Sequence, residues 1–124
     1  MTKLTGDGPL TQRVRGLLRA VLNQATFRGY DELLQQVSSV VVTGGSVTML
    51  ELDAMGSIQA SGFTDGLAPI RAVVVDVLEV PVGELLIWVE GGYIKNLEYA
   101  WWTDVAPKQL PRPEHVQVAS APIT

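Results

Sequence analysis

A chain of 124 residues, 47% hydrophobic and 18% charged, is long and apolar enough to close one core, which excludes both a disordered chain and a multidomain enzyme. Nine Lys and Arg against thirteen Asp and Glu leave a net charge of -4, without the basic footprint of a phosphate-backbone binder, so no nucleic-acid partner is expected. With no cysteine and a single histidine, His115, the chain lacks the residues for disulfides, thiol nucleophiles, iron–sulfur clusters and Cys-type zinc sites.

Residues 1–8 hold no apolar stretch that would act as a leader and read as a flexible N-terminus. Asp76, Glu79, Glu84 and Glu90 punctuate the most hydrophobic region, so no membrane span is expected and the default location is the cytoplasm. From Pro9 to about Thr26, Leu10, Val14, Leu17, Leu18, Val21, Leu22 and Ala25 follow the spacing of an amphipathic helix, with Arg13, Arg15 and Arg19 off its apolar stripe as a solvated face. Gly29 marks a stop, and Asp31 is placed to cap a second short helix over 32–37.

After Ser38 the period changes from 3.6 to 2. Val40, Val41 and Val42 are β-branched and run into Thr43-Gly44-Gly45-Ser46, expected as a turn or bulge. From Val47 to Ala54, Leu50 and Leu52 alternate with Glu51 and Asp53, the pattern of a strand with one wet face. Residues 56–66 read as a loop. Strands over 68–80 and 84–90 follow, and Gly91-Gly92 turns into a last strand from Tyr93 to about Trp102. The tail carries Pro107, Pro111, Pro113 and Pro122, and a proline lacks the donor that a central strand needs. The expected fold is therefore α+β: two N-terminal helices on one face of a four- to five-stranded antiparallel β-meander, a single domain over 9–106, with the Pro-rich tail 107–124 on or beside the sheet. Cystatin-like and ketosteroid-isomerase-like cones share this order of helices before curved sheet.

The stretch Thr43-Gly44-Gly45-Ser46-Val47, followed by Leu50-Glu51-Leu52-Asp53, and the hairpin Val89-Glu90-Gly91-Gly92-Tyr93-Ile94-Lys95-Asn96-Leu97-Glu98-Tyr99 with Leu110-Pro111-Arg112-Pro113-Glu114 behind it, resemble a group of short uncharacterised bacterial α+β proteins. These share a glycine turn before a strand, a Gly-x-x-x-x-Leu-Glu hairpin and a proline-bearing end. The resemblance covers the last two thirds of the chain. Relatives of this kind have cysteines around the glycine turn where this chain has Thr43, Gly44, Gly45 and Ser46, so no metal or redox role transfers, and the resemblance implies no activity.

Ser46 follows two glycines, but no base lies nearby in sequence and the Gly-x-Ser-x-Gly elbow is missing; the same stretch lacks the lysine of a phosphate loop. Glu51 and Asp53 share one strand face, yet no third carboxylate is spaced to complete a cation site, so they read as a solvated face. Asp76 falls in phase with Ile70, Ala72, Val74 and Leu78 on a face that otherwise looks buried. It reads as an ion-pair partner of Arg13, Arg15 or Arg19, as a residue near the strand's exit where water reaches it or, alternatively, as the general base of a small-molecule pocket in an isomerase-like enzyme.

Five of the eight aromatic residues, Trp88, Tyr93, Tyr99, Trp101 and Trp102, belong to the final hairpin. Alternation sets Tyr93, Leu97, Tyr99 and Trp101 on one side, and Ile94, Asn96, Glu98 and Trp102 on the other. Val73, Val75, Val77, Leu86, Trp88 and Trp102 fall out of phase with the side the helices cover, so a second subunit or another protein is expected to bury them. The leading expectation is a non-catalytic, self-associating or protein-binding module using Trp88, Trp102, Val75 and Leu86, with no metal and no cofactor. Dialysis against EDTA should accordingly leave the melting temperature unchanged; a large drop would point back to Glu51 and Asp53.

Overall fold

The computed structural model describes residues 8–25, 27–54 and 56–120, with the backbone alone at Ser120. Of the N-terminal stretch expected to be flexible, residues 1–7 lie outside these residues, as does the end of the tail, 121–124.

Helix α1 runs Pro9–Leu22, with proline at the first helical position, where its missing N–H costs nothing. It stops four residues short of the expected Thr26: Gln24 and Ala25 donate three residues back, to Val21 and Leu22, tightening the chain out of the helix. Its buried stripe is Thr11, Val14, Leu17, Leu18, Val21 and Leu22. Helix α2 covers Tyr30–Gln36 and continues into a single 3-10 turn, Val37–Ser39. The expected Asp31 cap is not used. The chain reverses at Gly29 in the left-handed region (φ 91°), whose carbonyl accepts from Glu32 and Leu33, and a Cβ there would collide with the Phe63 ring.

Among the described residues seven strands form one antiparallel sheet: β1 (Val41–Ser46), β2 (Met49–Asp53), β3 (Gly66–Leu67), β4 (Ile70–Val75), β5 (Pro81–Glu90), β6 (Tyr93–Trp101) and β7 (Val116–Ser120). The order is β1-β2-β6-β5-β4-β7, with β3 beside β5. The expected meander is β4-β5-β6, but the strand count exceeds four to five for two reasons. Pro69 separates β3 from β4, although both pair with β5, and beyond Pro113 the tail supplies an edge strand beside β4.

Two expected boundaries move. Of the turn or bulge expected at Thr43–Ser46 the structure has the bulge, between Val42 and Gly44, which absorbs Thr43 and keeps the stretch within β1. Gly45 (φ 91°) packs so close to the Met49 carbonyl that a Cβ would not fit. The strand expected over 68–80 ends at Val75.

Leu50, Leu52, Leu85, Ile87, Ile94 and Leu97 point to the helix side and are buried with α1 and α2 in one core. The sheet curls around α1 until both edge strands, β1 and β7, touch it. At the β1 edge the Thr11 hydroxyl accepts from the Val42 N–H (3.2 Å) and Arg15 Nε donates to the Val40 carbonyl (2.8 Å). Arg13 Nη2 donates to Leu110 O in the segment leading to β7 (3.2 Å). Of the three arginines expected to form a solvated face, Arg13 and Arg15 thus bind carbonyls of their own chain, while the exposed Arg19 donates from Nη2 to Ser38 Oγ (3.4 Å).

One buried polar side chain ties α2 to the β5-β6 hairpin. Gln36 is fully buried; its amide nitrogen donates to Ile58 O (2.9 Å) and Gly92 O (2.7 Å), and its amide oxygen accepts from Ile94 N–H (2.9 Å). The Gly91-Gly92 turn is held further by Asp65, which accepts from Gly91 N–H, and by Gln59, which donates to Gly91 O. Both glycines have positive φ, and a Cβ on Gly92 would strike the Ala60 carbonyl. Since each buried polar group stripped of its partner costs about 1–3 kcal/mol, Gln36→Ala should lose at least about 2 kcal/mol in urea unfolding. A loss below about 1 kcal/mol would mean that apolar packing alone docks the hairpin.

Candidate functional site: the outer face and one end of the sheet

Strand pairing fixes which side chains share the face that the helices leave open. On β5, Leu85, Ile87 and Val89 are buried toward the helices while Glu84, Leu86 and Trp88 point away, half-buried. Opposite them on β6 stand Ala100, Glu98 and Asn96, and beyond lie Met49 and Glu51 of β2. On the other flank Val73 pairs with Glu84, and Leu67 pairs with Trp88. The outer face is thus an apolar strip of Leu67, Trp88, Leu86, Val73 and Met49, set among Glu51, Glu84 and Glu98 and the single guanidinium of Arg71.

Trp88 is fixed in place. Its indole N–H donates to Glu98 Oε1 at 2.9 Å, across one diagonal of the β5-β6 ladder. The β5-β6 register shows why simple alternation missorted this hairpin: a bulge at Lys95 lets Val89 face Ile94 while Trp88 faces Asn96. Ile94 therefore joins Leu97 and Tyr99 inside, where alternation had set it outside.

Val75 is not on this face. β5 slips past Val82 between the Val74–Gly83 and Val75–Pro81 pairs, the alternation breaks, and Val74 and Val75 are both buried. Val77, also expected on the outer strip, is in a turn. Trp102 is half-exposed just past β6, its N–H donating to Val82 O (2.8 Å). That position is six residues along the strand from Asn96, the partner of Trp88, or about 20 Å, so the two indoles do not share a centre.

Asp76 lies past the end of β4, in the turn that leads to β5. Its Oδ1 accepts from Leu78 N–H (2.8 Å) and Val80 N–H (3.0 Å), and its backbone closes the turn with Val80 and Glu79, which holds φ 62°. The carboxylate supplies the acceptors that a tight β4-β5 connection needs, which is the Asx-turn role of aspartate. None of the helix arginines is among its hydrogen-bond partners.

Glu51 and Asp53 are exposed beside the buried Leu50 and Leu52, as the alternation predicts. Among the described residues no group of three or more His, Cys, Asp or Glu is arranged to hold a metal. A cleft of about 180 Å³ opens where β2 meets the start of β6, lined by Thr43, Asp53, Glu90, Tyr93 and Lys95 among others, and Asp76 is not part of it. No helix among the described residues is long and apolar enough to cross a membrane.

Met49, Leu67, Arg71 and Glu84 complete the outer face but are not signalled by sequence, since cross-strand neighbours follow from register. The chain matches no protein-family model, no curated protein and no solved structure.

On the inner side, burial pushes the Tyr99 phenol above its ordinary value of 10.0. A folded-state value above the unfolded one adds stability that is whole below pH about 10 and is lost as pH rises through the folded value. Urea unfolding between pH 8 and 11 should therefore fall more steeply for the wild type than for Tyr99→Phe; parallel slopes would show that Tyr99 titrates alike in both states.

Proposed function

We propose that the chain is a non-catalytic protein-interaction module that docks a partner on the outer face of its sheet. The observation behind this reading is Trp88: a large aromatic side chain, half-exposed and held by Glu98, on a sheet face that neither α1 nor α2 covers. A fixed aromatic anchor loses little freedom on binding, which is why tryptophan recurs at interaction hot spots. Leu86 and Leu67 extend the apolar contact. With Glu51, Glu84 and Glu98 around Arg71, the face suits a partner that is apolar with basic flanks, and it disfavours a second copy, which would set carboxylates against carboxylates.

The helix-filled, curved sheet is consistent with the layout of cystatin-like and ketosteroid-isomerase-like cones, a likeness of architecture that brings no activity with it. The isomerase-like reading has no observation behind it, because Asp76 Oδ1 is engaged by two backbone donors in an exposed turn.

Random peptides displayed on phage and selected against the wild type should include apolar-basic sequences whose affinity drops at least about tenfold on Trp88→Glu, with the melting temperature preserved. Peptides indifferent to both Trp88→Glu and Leu86→Glu would remove the outer face from the proposal.

A further inference from the structure

The seam between β2 and β6 is paired at one end and open at the other. The two strands face each other at Met49–Glu98, Leu50–Leu97 and Glu51–Asn96, and then part. The cause is Lys95, the bulged residue that stands between the Trp88–Asn96 and Val89–Ile94 pairs. Beyond it the start of β6 follows β5, while Leu52 and Asp53 follow β1 opposite Val42 and Val41. The Ile94 N–H, in the stretch that has left β2, is taken by Gln36 Oε1 (2.9 Å) and so does not close the seam. The opening is therefore part of the fold and needs no ligand to form it.

The cleft of about 180 Å³ lies in this opening. At about 30 Å³ for each water of the liquid, it has room for a solute of amino-acid size. Its inner wall includes the buried Leu52, Ala54 and Ile94. Charges of both signs reach it from three strand ends: Asp53 closes β2, Glu90 closes β5, and Lys95 lies near the start of β6. Glu90 stands opposite Tyr93, which also lines the cleft, as does Thr43 of β1. Among the described residues Glu90 and Lys95 form no ion pair with each other, although both border the same small space.

We infer that this cleft is a binding site for a small zwitterion, a free α-amino acid with an aliphatic side chain. The Asp53 and Glu90 carboxylates receive the ligand's ammonium group, and the Lys95 ammonium receives its carboxylate. The Tyr93 ring and the methylene stem of Lys95 offer apolar surface to the side chain. A bare carboxylate would meet two like charges on the rim and a bare amine would meet Lys95, so a ligand carrying both charges is the one that gains at each end. The site does not depend on a partner docking at Trp88, and the two readings fail separately.

Backbone amide shifts of the isotopically labelled full chain, titrated with L-leucine, isoamylamine and isocaproate, test the inference. The three compounds keep one branched chain and carry both charges, the ammonium alone and the carboxylate alone. Leucine should shift the Asp53, Tyr93 and Lys95 amides and saturate in the low-millimolar range, and the other two should bind about fivefold more weakly, the upper end for an exposed ion pair. Lys95→Gln should remove the advantage of leucine over isoamylamine, and Glu90→Gln should reduce its advantage over isocaproate. Both positions are exposed, so the circular dichroism spectrum should not change. No saturable shift by about 20 mM leucine overturns the inference, as do shifts confined to residues away from the cleft. Isoamylamine or isocaproate binding as tightly as leucine overturns it too, and so does a leucine affinity that survives both variants.

Discussion

An antiparallel sheet that curls until its outermost strands meet the same helix gives that helix two tasks, and α1 is composed for both. Its apolar stripe fills the trough of the sheet, while polar side chains flanking the stripe satisfy backbone groups at the edges. An unpaired edge N–H or carbonyl facing the core would cost as much as a lost hydrogen bond, so closure needs these partners as much as it needs leucines. Thr11, buried beside Val14, answers the Val42 N–H, and Arg15 and Arg13 reach carbonyls on either side. The rest of the fold depends on this bracing, since the two edges of the sheet lie at opposite ends of its strand order and share no other helix of comparable length.

Where one physical signal dominates, the sequence is legible. The 3.6-residue period of α1, the alternation of Leu50 and Leu52 with Glu51 and Asp53, and the Gly91-Gly92 turn all correspond to elements in the structure. Illegible parts are those in which one residue changes the phase of everything after it. Lys95 is a single bulged residue that reverses which side Ile94 takes, and the slip at Val82 buries Val75. Asp76 misled for a related reason: read as a strand residue its neighbours make a buried face, but its short side chain is better suited to gathering backbone donors, and it ends the strand instead. The tail strand was hidden by its prolines, all but one of which precede β7 and none of which falls within it.

The outer face and the end of the sheet differ in how their apolar groups are treated. On the face, carboxylates and one arginine interleave with Trp88 and Leu86, which leaves the strip half-covered by its own neighbours. At the end, a turn with its donors taken up internally leaves Val77 and Leu78 exposed. Both arrangements follow from strand pairing on β5, where β6 runs along one side from Gly83 to Glu90 while β4 covers only its first half on the other and β3 the end.

Ile94 has a peptide N–H that is in the sheet by position but bonded to a side chain of α2. Its exchange with deuterium would open with the departure of α2 from the hairpin, whereas the amides of Ile87 or Leu97 would open only when strands separate. A single residue thus distinguishes loosening of the helical layer from melting of the sheet, and the Gly91-Gly92 hairpin becomes the place where the two layers can be followed independently.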